Sequence, residues 1–121
     1  MPPEIERFIV AHVPSVATLE ALLLLRSQPP RSWSVAALVE RLYIGAPEVA
    51  AIVAHLVAHG LATQSEAGEV DYARSSPLAD AVDTLAETYG TRLVAVSQFI
   101  HARQDSAGIR SFADAFRFRK D

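Results

Sequence analysis

Two histidines have the spacing that metal ligands use on a helix. His55 and His59 stand at positions i and i+4 of the stretch GAPEVAAIVAHLVAHG, residues 45–60, which puts both imidazoles on one side of a helix. A metal site needs further ligands, but no Cys, Asp or Glu stands at a supporting spacing nearby, and His12 and His101 are distant in the sequence. We therefore expect ordinary, partly exposed histidines, with no metal and no other cofactor.

A second pair of residues has the types of side chain used in nucleophilic catalysis. Ser97 and His101 share a helix face at i and i+4. No acid stands at a matching position, and a serine on a regular helix has no evident oxyanion hole. The chain also lacks a glycine-rich phosphate loop, a paired-carboxylate signature and a nucleotide motif. The sequence therefore predicts that the protein is not an enzyme.

Positive charge is clustered at the C-terminal end, in the segment FRFRKD. Arg117, Arg119 and Lys120 stand there, with Phe118 between two of them. One interpretation is a solvated tail. The other is a contact with phosphate or an acidic partner, in which Phe118 stacks on a base. Both interpretations stay open from the sequence.

Composition predicts one folded domain over residues 1–121, because half of the residues are apolar and spread along the chain. The absence of cysteine favours a reducing, cytoplasmic setting. The start MPPEIERFIV does not resemble a signal peptide, and the longest apolar run, ALLLL, is too short to span a membrane. Arginine supplies ten of the eleven basic residues, which suggests a bacterial, GC-rich genome.

Helix signals occur in the first half of the chain. A short stripe ends at Pro14, and Ser15 is a candidate N-cap for a helix over 16–26 whose consecutive leucines indicate that neighbours enclose it. Ser34 is the next candidate N-cap, with Trp33 able to pack on Leu38. The turn YIGA then leads to a helix over residues 47–59. Two helices joined by a short glycine-containing turn form a helix-turn-helix unit.

Hairpin and long-helix signals follow. Apolar and polar residues roughly alternate in LATQS and in VDYA, and these two segments flank a bend at Gly68. A helix is then predicted to run unbroken over residues 76–103. A kink at Gly90 that folds the helix back on its own core is the alternative. We expect its apolar stripe to dimerise the protein. The stripe comprises Leu78, Val82, Leu85, Tyr89, Leu93, Val96 and Ile100.

This order of elements resembles a winged helix-turn-helix domain. The likeness is carried by WSVAALVERLYIGAPEVAAIVAHLVAHGLATQSEAGEVDY, residues 33–72, with Trp33 where such domains have a short first strand. The long helix after the wing resembles the dimerisation helix of small bacterial regulators of the MarR and PadR kind. The resemblance implies a mainly α fold with a small wing of two or three strands, with a winged-helix core over 15–74 and the long helix over 76–103. It also implies DNA binding through the third helix and the wing. The spacing of Ile109, Phe112 and Phe116 predicts a closing helix over 109–118.

The residues of this chain do not fit that mode of DNA binding. Residues 47–73 contain four acids and no base, a net charge of −4, whereas DNA affinity depends on neutralising several phosphates. The face of the third helix that points away from its apolar stripe consists mostly of alanine, which cannot form bidentate contacts with base edges. Such a face is either a plain solvent-facing surface or a smooth surface for another polypeptide.

We therefore predict a non-catalytic winged-helix regulatory protein in transcription control, homodimeric through its long helix, that acts mainly through protein–protein contacts. The predicted partner-binding residues are Glu48, Ala51, Ala54, His55 and Ala58. The alternative is a DNA-binding transcriptional regulator that contacts DNA through flanking arginines and the basic tail: Arg31, Arg41, Arg74, Arg117, Arg119 and Lys120.

Overall fold

The computed structural model describes residues 1–27 and 30–103. The closing helix predicted over 109–118 lies outside these residues, as do Arg117, Arg119 and Lys120.

The described residues form helices around a two-stranded antiparallel sheet. The elements are α1 (Pro3–His12), α2 (Val16–Arg26), α3 (Val35–Leu42), α4 (Ala46–Ala58), β1 (Ala62–Gln64), β2 (Val70–Tyr72) and α5 (Ala79–Thr91), followed by a helical segment over 93–103. The predicted order of helix, helix-turn-helix and hairpin is confirmed.

Serine caps fix where α2 and α3 begin. The hydroxyl of Ser15 accepts the N–H of Thr18 at 3.0 Å, and that of Ser34 accepts the N–H of Ala37 at 3.1 Å. Each bond satisfies a backbone donor that a helix N-terminus would otherwise leave unpaired. The α2 helix contacts α3, α4 and β2, so the prediction that neighbours enclose it is confirmed.

Positive φ angles shape both ends of the helix-turn-helix unit. Tyr43 ends α3 in the left-handed region at φ 57°, and Gly60 follows α4 at φ 72°. Left-handed residues commonly terminate helices, because they turn the chain while the last carbonyls are still paired. Leu38 of α3 and Val49, Val53 and Leu56 of α4 are buried, so the two helices share the core.

The wing pairs β1 with β2 in the register Ala62 opposite Tyr72 and Gln64 opposite Val70. Gly68 makes the bend at φ 90°. Trp33 extends the sheet by one residue, since its N–H and C=O pair with the C=O and N–H of Val70 at 2.8 and 2.7 Å. Trp33 therefore occupies the predicted place of a short first strand.

The unbroken helix predicted over 76–103 is wrong. The α5 helix begins at Ala79 and ends at Thr91, and Arg92 has φ −134° and ψ 47° before the chain resumes as the segment 93–103. Gly90 and Thr91 favour helix poorly. The Thr91 hydroxyl also donates to the carbonyls of Glu87 and Thr88 at 3.2 and 3.3 Å, a type of contact that bends helices. The break therefore lies at Arg92, two residues beyond Gly90.

Among the described residues, no single helix is long and apolar enough to cross a membrane. Two consecutive pairs, α1 with α2 and α3 with α4, reach that length and apolarity only when taken together, and they are bent by 101° and 111°.

Candidate protein-docking and nucleic-acid surfaces

The α4 helix divides into a buried side and an exposed, nearly uncharged side. Val49, Val53 and Leu56 are at most 2% exposed. The opposite side, which we call the alanine face, contains no Lys or Arg. It comprises the exposed residues Glu48, Ala50, Ala51, Ala54, Val57 and Ala58. The sequence prediction placed Glu48, Ala51, Ala54 and Ala58 on this side correctly.

His55 does not belong to the alanine face, contrary to the sequence prediction of an outward side chain. It is half-buried, and its Nε2 lies 2.7 Å from the backbone oxygen of His12 at the end of α1. That oxygen accepts the Nε2–H, because a helix C-terminus leaves carbonyls without partners in the helix. His55 is therefore used within the chain.

Three histidines meet where α1 and α4 end. The Nδ1 atoms of His12 and His59 are 2.8 Å apart, and the rings of His55 and His59 stack with their centroids 4.0 Å apart. Burial lowers the pKa of His12 below its ordinary value, and the nearby His59 and His55 lower it further. We define His12, His55 and His59 as the histidine cluster.

The cluster does not have the form of a three-ligand metal site. Stacked imidazoles direct their nitrogens side by side, and the Nε2 of His55 is engaged by the His12 carbonyl. No group of three metal-ligating side chains with suitable geometry occurs in residues 1–27 and 30–103. Helical spacing signals the pairing of His55 with His59, but the approach of His12 is a tertiary contact that the sequence did not reveal.

The wing carries negative charge. Glu66 and Glu69 at its tip are exposed. Asp71 of β2 accepts the Ser32 hydroxyl at 2.7 Å. Together with the alanine face, the wing tip forms a surface that offers no cation to a phosphate.

The flanking arginines lie against aromatic rings. The guanidinium carbons of Arg31 and Arg41 are 3.8 and 5.6 Å from the centroid of the Trp33 ring, and that of Arg74 is 5.5 Å from the Tyr72 ring. A cation over an indole face is attracted by the ring quadrupole. Trp33 thus brings together two of the predicted nucleic-acid contacts, a role beyond the packing that the sequence predicted for it.

A cavity of about 250 Å³ lies between α2, β2 and α5. Arg26 pairs with Asp83 across it at 2.9 Å. The Tyr72 hydroxyl is buried there, and no residue of 1–27 or 30–103 forms a hydrogen bond with it. Burial raises the pKa of Tyr72, with a further contribution from Asp83, while Arg26 and Arg74 oppose the shift. The ion pair links α2 to α5 but is half-exposed, so it contributes little to stability.

The residues predicted to form the dimer stripe are mostly used inside one chain. Val82, Leu85, Val96 and Ile100 are at most 1% exposed, because the break at Arg92 lets both helical pieces turn their apolar sides toward the same core. Leu78 and Tyr89 are half-buried, whereas Leu93 is 54% exposed. Leu93 is therefore the member of the predicted stripe most available to a second copy.

The helix-turn-helix unit, the wing and the bridge at Trp33 together define a winged helix-turn-helix fold, as predicted. The solved structure of a multiple antibiotic-resistance repressor (MarR) from Listeria monocytogenes is similar to this chain with a TM-score of 0.52. The match is 19% identical in sequence and covers 98% of this chain and 84% of that one. At this identity the likeness shows the fold alone. A scan against protein-family models and a search of curated protein sequences gave no match.

Proposed function

We propose that this protein is a non-catalytic winged-helix regulator of transcription that acts mainly by binding another polypeptide on the alanine face of α4. The observation that carries the proposal is the composition of that face: its exposed side chains are four alanines, one valine and one glutamate. The fold, similar to that of a repressor, supports a role in transcription control.

Electrostatics favours a polypeptide over a duplex on this surface. Phosphate contacts by Lys and Arg supply most of the sequence-independent affinity for DNA. Neither residue occurs between Pro47 and Ala73. The Glu66 and Glu69 carboxylates at the wing tip would repel a phosphate backbone.

Sterics favours the same conclusion. Alanine side chains lose no rotamer entropy on binding, and they allow a second helix or a backbone to approach α4 closely. Tyr43, at the turn between α3 and α4, is 91% exposed. Aromatic side chains of this kind are enriched at protein interfaces, where they act as anchors. A basic helix would complement the acidic charge around the face.

Photo-cross-linking in the producing cells tests the proposal. A benzophenone amino acid at Ala51 is expected to form a discrete adduct with one polypeptide, and Ala54→Arg or Ala58→Arg should abolish that adduct by placing a long cation on the face. In the matched control, the cross-linker stays at Ala51 and the Arg substitution is made at Ala36, an exposed alanine of α3. An adduct that persists in both Arg variants would remove the alanine face from the proposal.

We also propose that the protein is a homodimer, with the exposed part of the segment 93–103 contributing to the interface. Leu93 and the adjacent Val94 are large apolar side chains that are 54% and 62% exposed. Large apolar side chains exposed next to each other are a common feature of interaction surfaces.

The alternative is a DNA-binding transcriptional regulator that uses Arg31, Arg41 and Arg74 together with the basic tail. The observation that favours it is the position of Arg31 and Arg41 over Trp33, whose backbone pairs with β2 of the wing. Two permanent cations therefore lie beside the residue that pairs with Val70, at the end of β2 next to the bend of the wing.

A further inference from the structure

We propose that the histidine cluster is a pH-sensitive latch between the end of α1 and the end of α4, in which the His12–His59 hydrogen bond holds while at least one of these two rings is neutral and opens when both are protonated. This proposal does not depend on what the alanine face binds. It rests on the contacts of His12, His55 and His59 with one another.

The bond between His12 and His59 permits only one proton between its two atoms. At 2.8 Å, one Nδ1 donates an N–H and the other Nδ1 must accept it with a lone pair. If both rings became imidazolium, both nitrogens would carry a proton and neither could accept. The contact must then open, so it requires at least one neutral ring.

The stacked pair brings both histidines of α4 to the end of α1. The His55 and His59 rings are nearly parallel, with 4.0 Å between centroids and 27° between planes. The Nε2–H of His55 donates to the His12 carbonyl at 2.7 Å, so this ring is held in place beside the His12–His59 bond.

The other charged groups of the packed elements are distributed over several helices. On α2, Glu20 faces Tyr89 and Arg26 is paired with Asp83. The charged residues of α1, Glu4, Glu6 and Arg7, lie in its first half, and Glu48 lies at the far end of α4. The α3 helix, which contacts α4, carries Glu40 and Arg41, and α5, which contacts α1, carries Asp80, Asp83 and Glu87. The charges that shift the pKa of His12 are those of His59 and His55, and both lower it.

The cluster lies at the C-terminal ends of both helices. His12 lies in the last turn of α1, His55 lies in the last turn of α4, and His59 follows it as the C-cap. Loss of the His12–His59 bond therefore loosens the junction between these two helix ends.

The sign of the pH effect follows from His12. Its pKa is lowered in the folded protein, so the unfolded chain binds more protons as the pH falls below about 6.5, the ordinary pKa of histidine. The stabilising contribution of the neutral ring is complete above that pH and is lost as the pH falls toward the folded pKa. Acidification therefore loosens the α1–α4 contact.

Amide hydrogen exchange of the intact chain tests the latch. After correction for intrinsic rates, exchange of the α1 amides is expected to be faster near pH 5 than near pH 7.5, because the pKa of His12 is lowered in the folded protein and protonation therefore destabilises the contact. His59→Asn should reduce this pH dependence, because the Asn amide can replace Nδ1 as a hydrogen-bonding atom and does not titrate, while the contribution from the burial of His12 remains. His101→Gln, which changes an exposed histidine outside the cluster, should leave it intact.

Histidine NMR of the unsubstituted protein gives a second readout that does not require a variant to fold. The Nδ1 resonances of His12 and His59 should show one protonated and one unprotonated nitrogen near pH 7.5, and two protonated nitrogens after opening. Equal exchange of α1 at both pH values, or two imidazolium rings with α1 still protected, would overturn the proposal.

Discussion

At the scale of single residues, Trp33 connects most of the features near the wing. Its backbone extends the sheet through Val70, and its ring faces the guanidinium groups of Arg31 and Arg41. The indole Nε1 is buried and has no hydrogen-bond partner within the described part of the chain, a state that costs free energy unless packing offsets it. The cation contacts on the ring face are one source of that compensation.

Any duplex binding by this chain is expected to depend on these two arginines. The double variant Arg31→Gln/Arg41→Gln should flatten the dependence of log K on log salt by about 0.9 for each phosphate that the arginines no longer neutralise. A mobility shift with a duplex from the protein's own upstream sequence, at two salt concentrations, measures the change.

Arg7→Gln is the control, because Arg7 is an exposed cation of α1, and its removal should leave the salt slope unchanged. A sharp, salt-sensitive shift that survives the double variant would show that DNA is bound elsewhere on the protein.

At the scale of secondary-structure elements, the end of α5 decides how the C-terminal part of the domain packs. Gly90 lies in helical conformation within α5, and a Cβ added there would meet no atom within 4 Å. Gly90→Ala should therefore raise the free energy of unfolding by about 0.5–1 kcal/mol, through lower entropy of the unfolded chain and better helix propensity. Urea unfolding followed by circular dichroism measures it.

Gly60→Ala is the matched control, since an added Cβ has open space there as well but φ is +72°. The strain of a left-handed alanine should make Gly60→Ala destabilising. A shift of the urea midpoint in the same direction by both substitutions would contradict this explanation.

At the scale of the whole molecule, the exposed apolar side chains decide whether two copies associate. Leu93→Glu is expected to convert the proposed homodimer to monomer in sedimentation velocity, because it would bury a carboxylate in the interface. Helix content should be retained, since Leu93 is largely exposed in the single chain.

Val57→Glu on the alanine face is the control for an added charge, because Val57 is 39% exposed and belongs to α4 rather than to that segment. It should leave the oligomeric state unchanged. A Leu93→Glu protein that sediments like the unsubstituted one would exclude this segment from the interface.

The sequence by itself determined the elements and their order, because their signals are local. The caps at Ser15 and Ser34, the bend at Gly68 and the glycine after α4 each act within a few residues, so the backbone responds to them wherever the segment lies in the fold. For the same reason, the spacing of the alanines in the sequence predicted which side of α4 is exposed.

Tertiary structure alone decided which side chains meet across elements. The approach of His12 to His55 and His59, and of two arginines to Trp33, joins residues that no periodicity relates. The stripe through Val82, Leu85, Val96 and Ile100 has the same helical spacing whether it packs on a partner or on its own chain. Only the break at Arg92, caused by weak helix formers and threonine hydroxyls that bond to backbone carbonyls, turns both pieces toward one core.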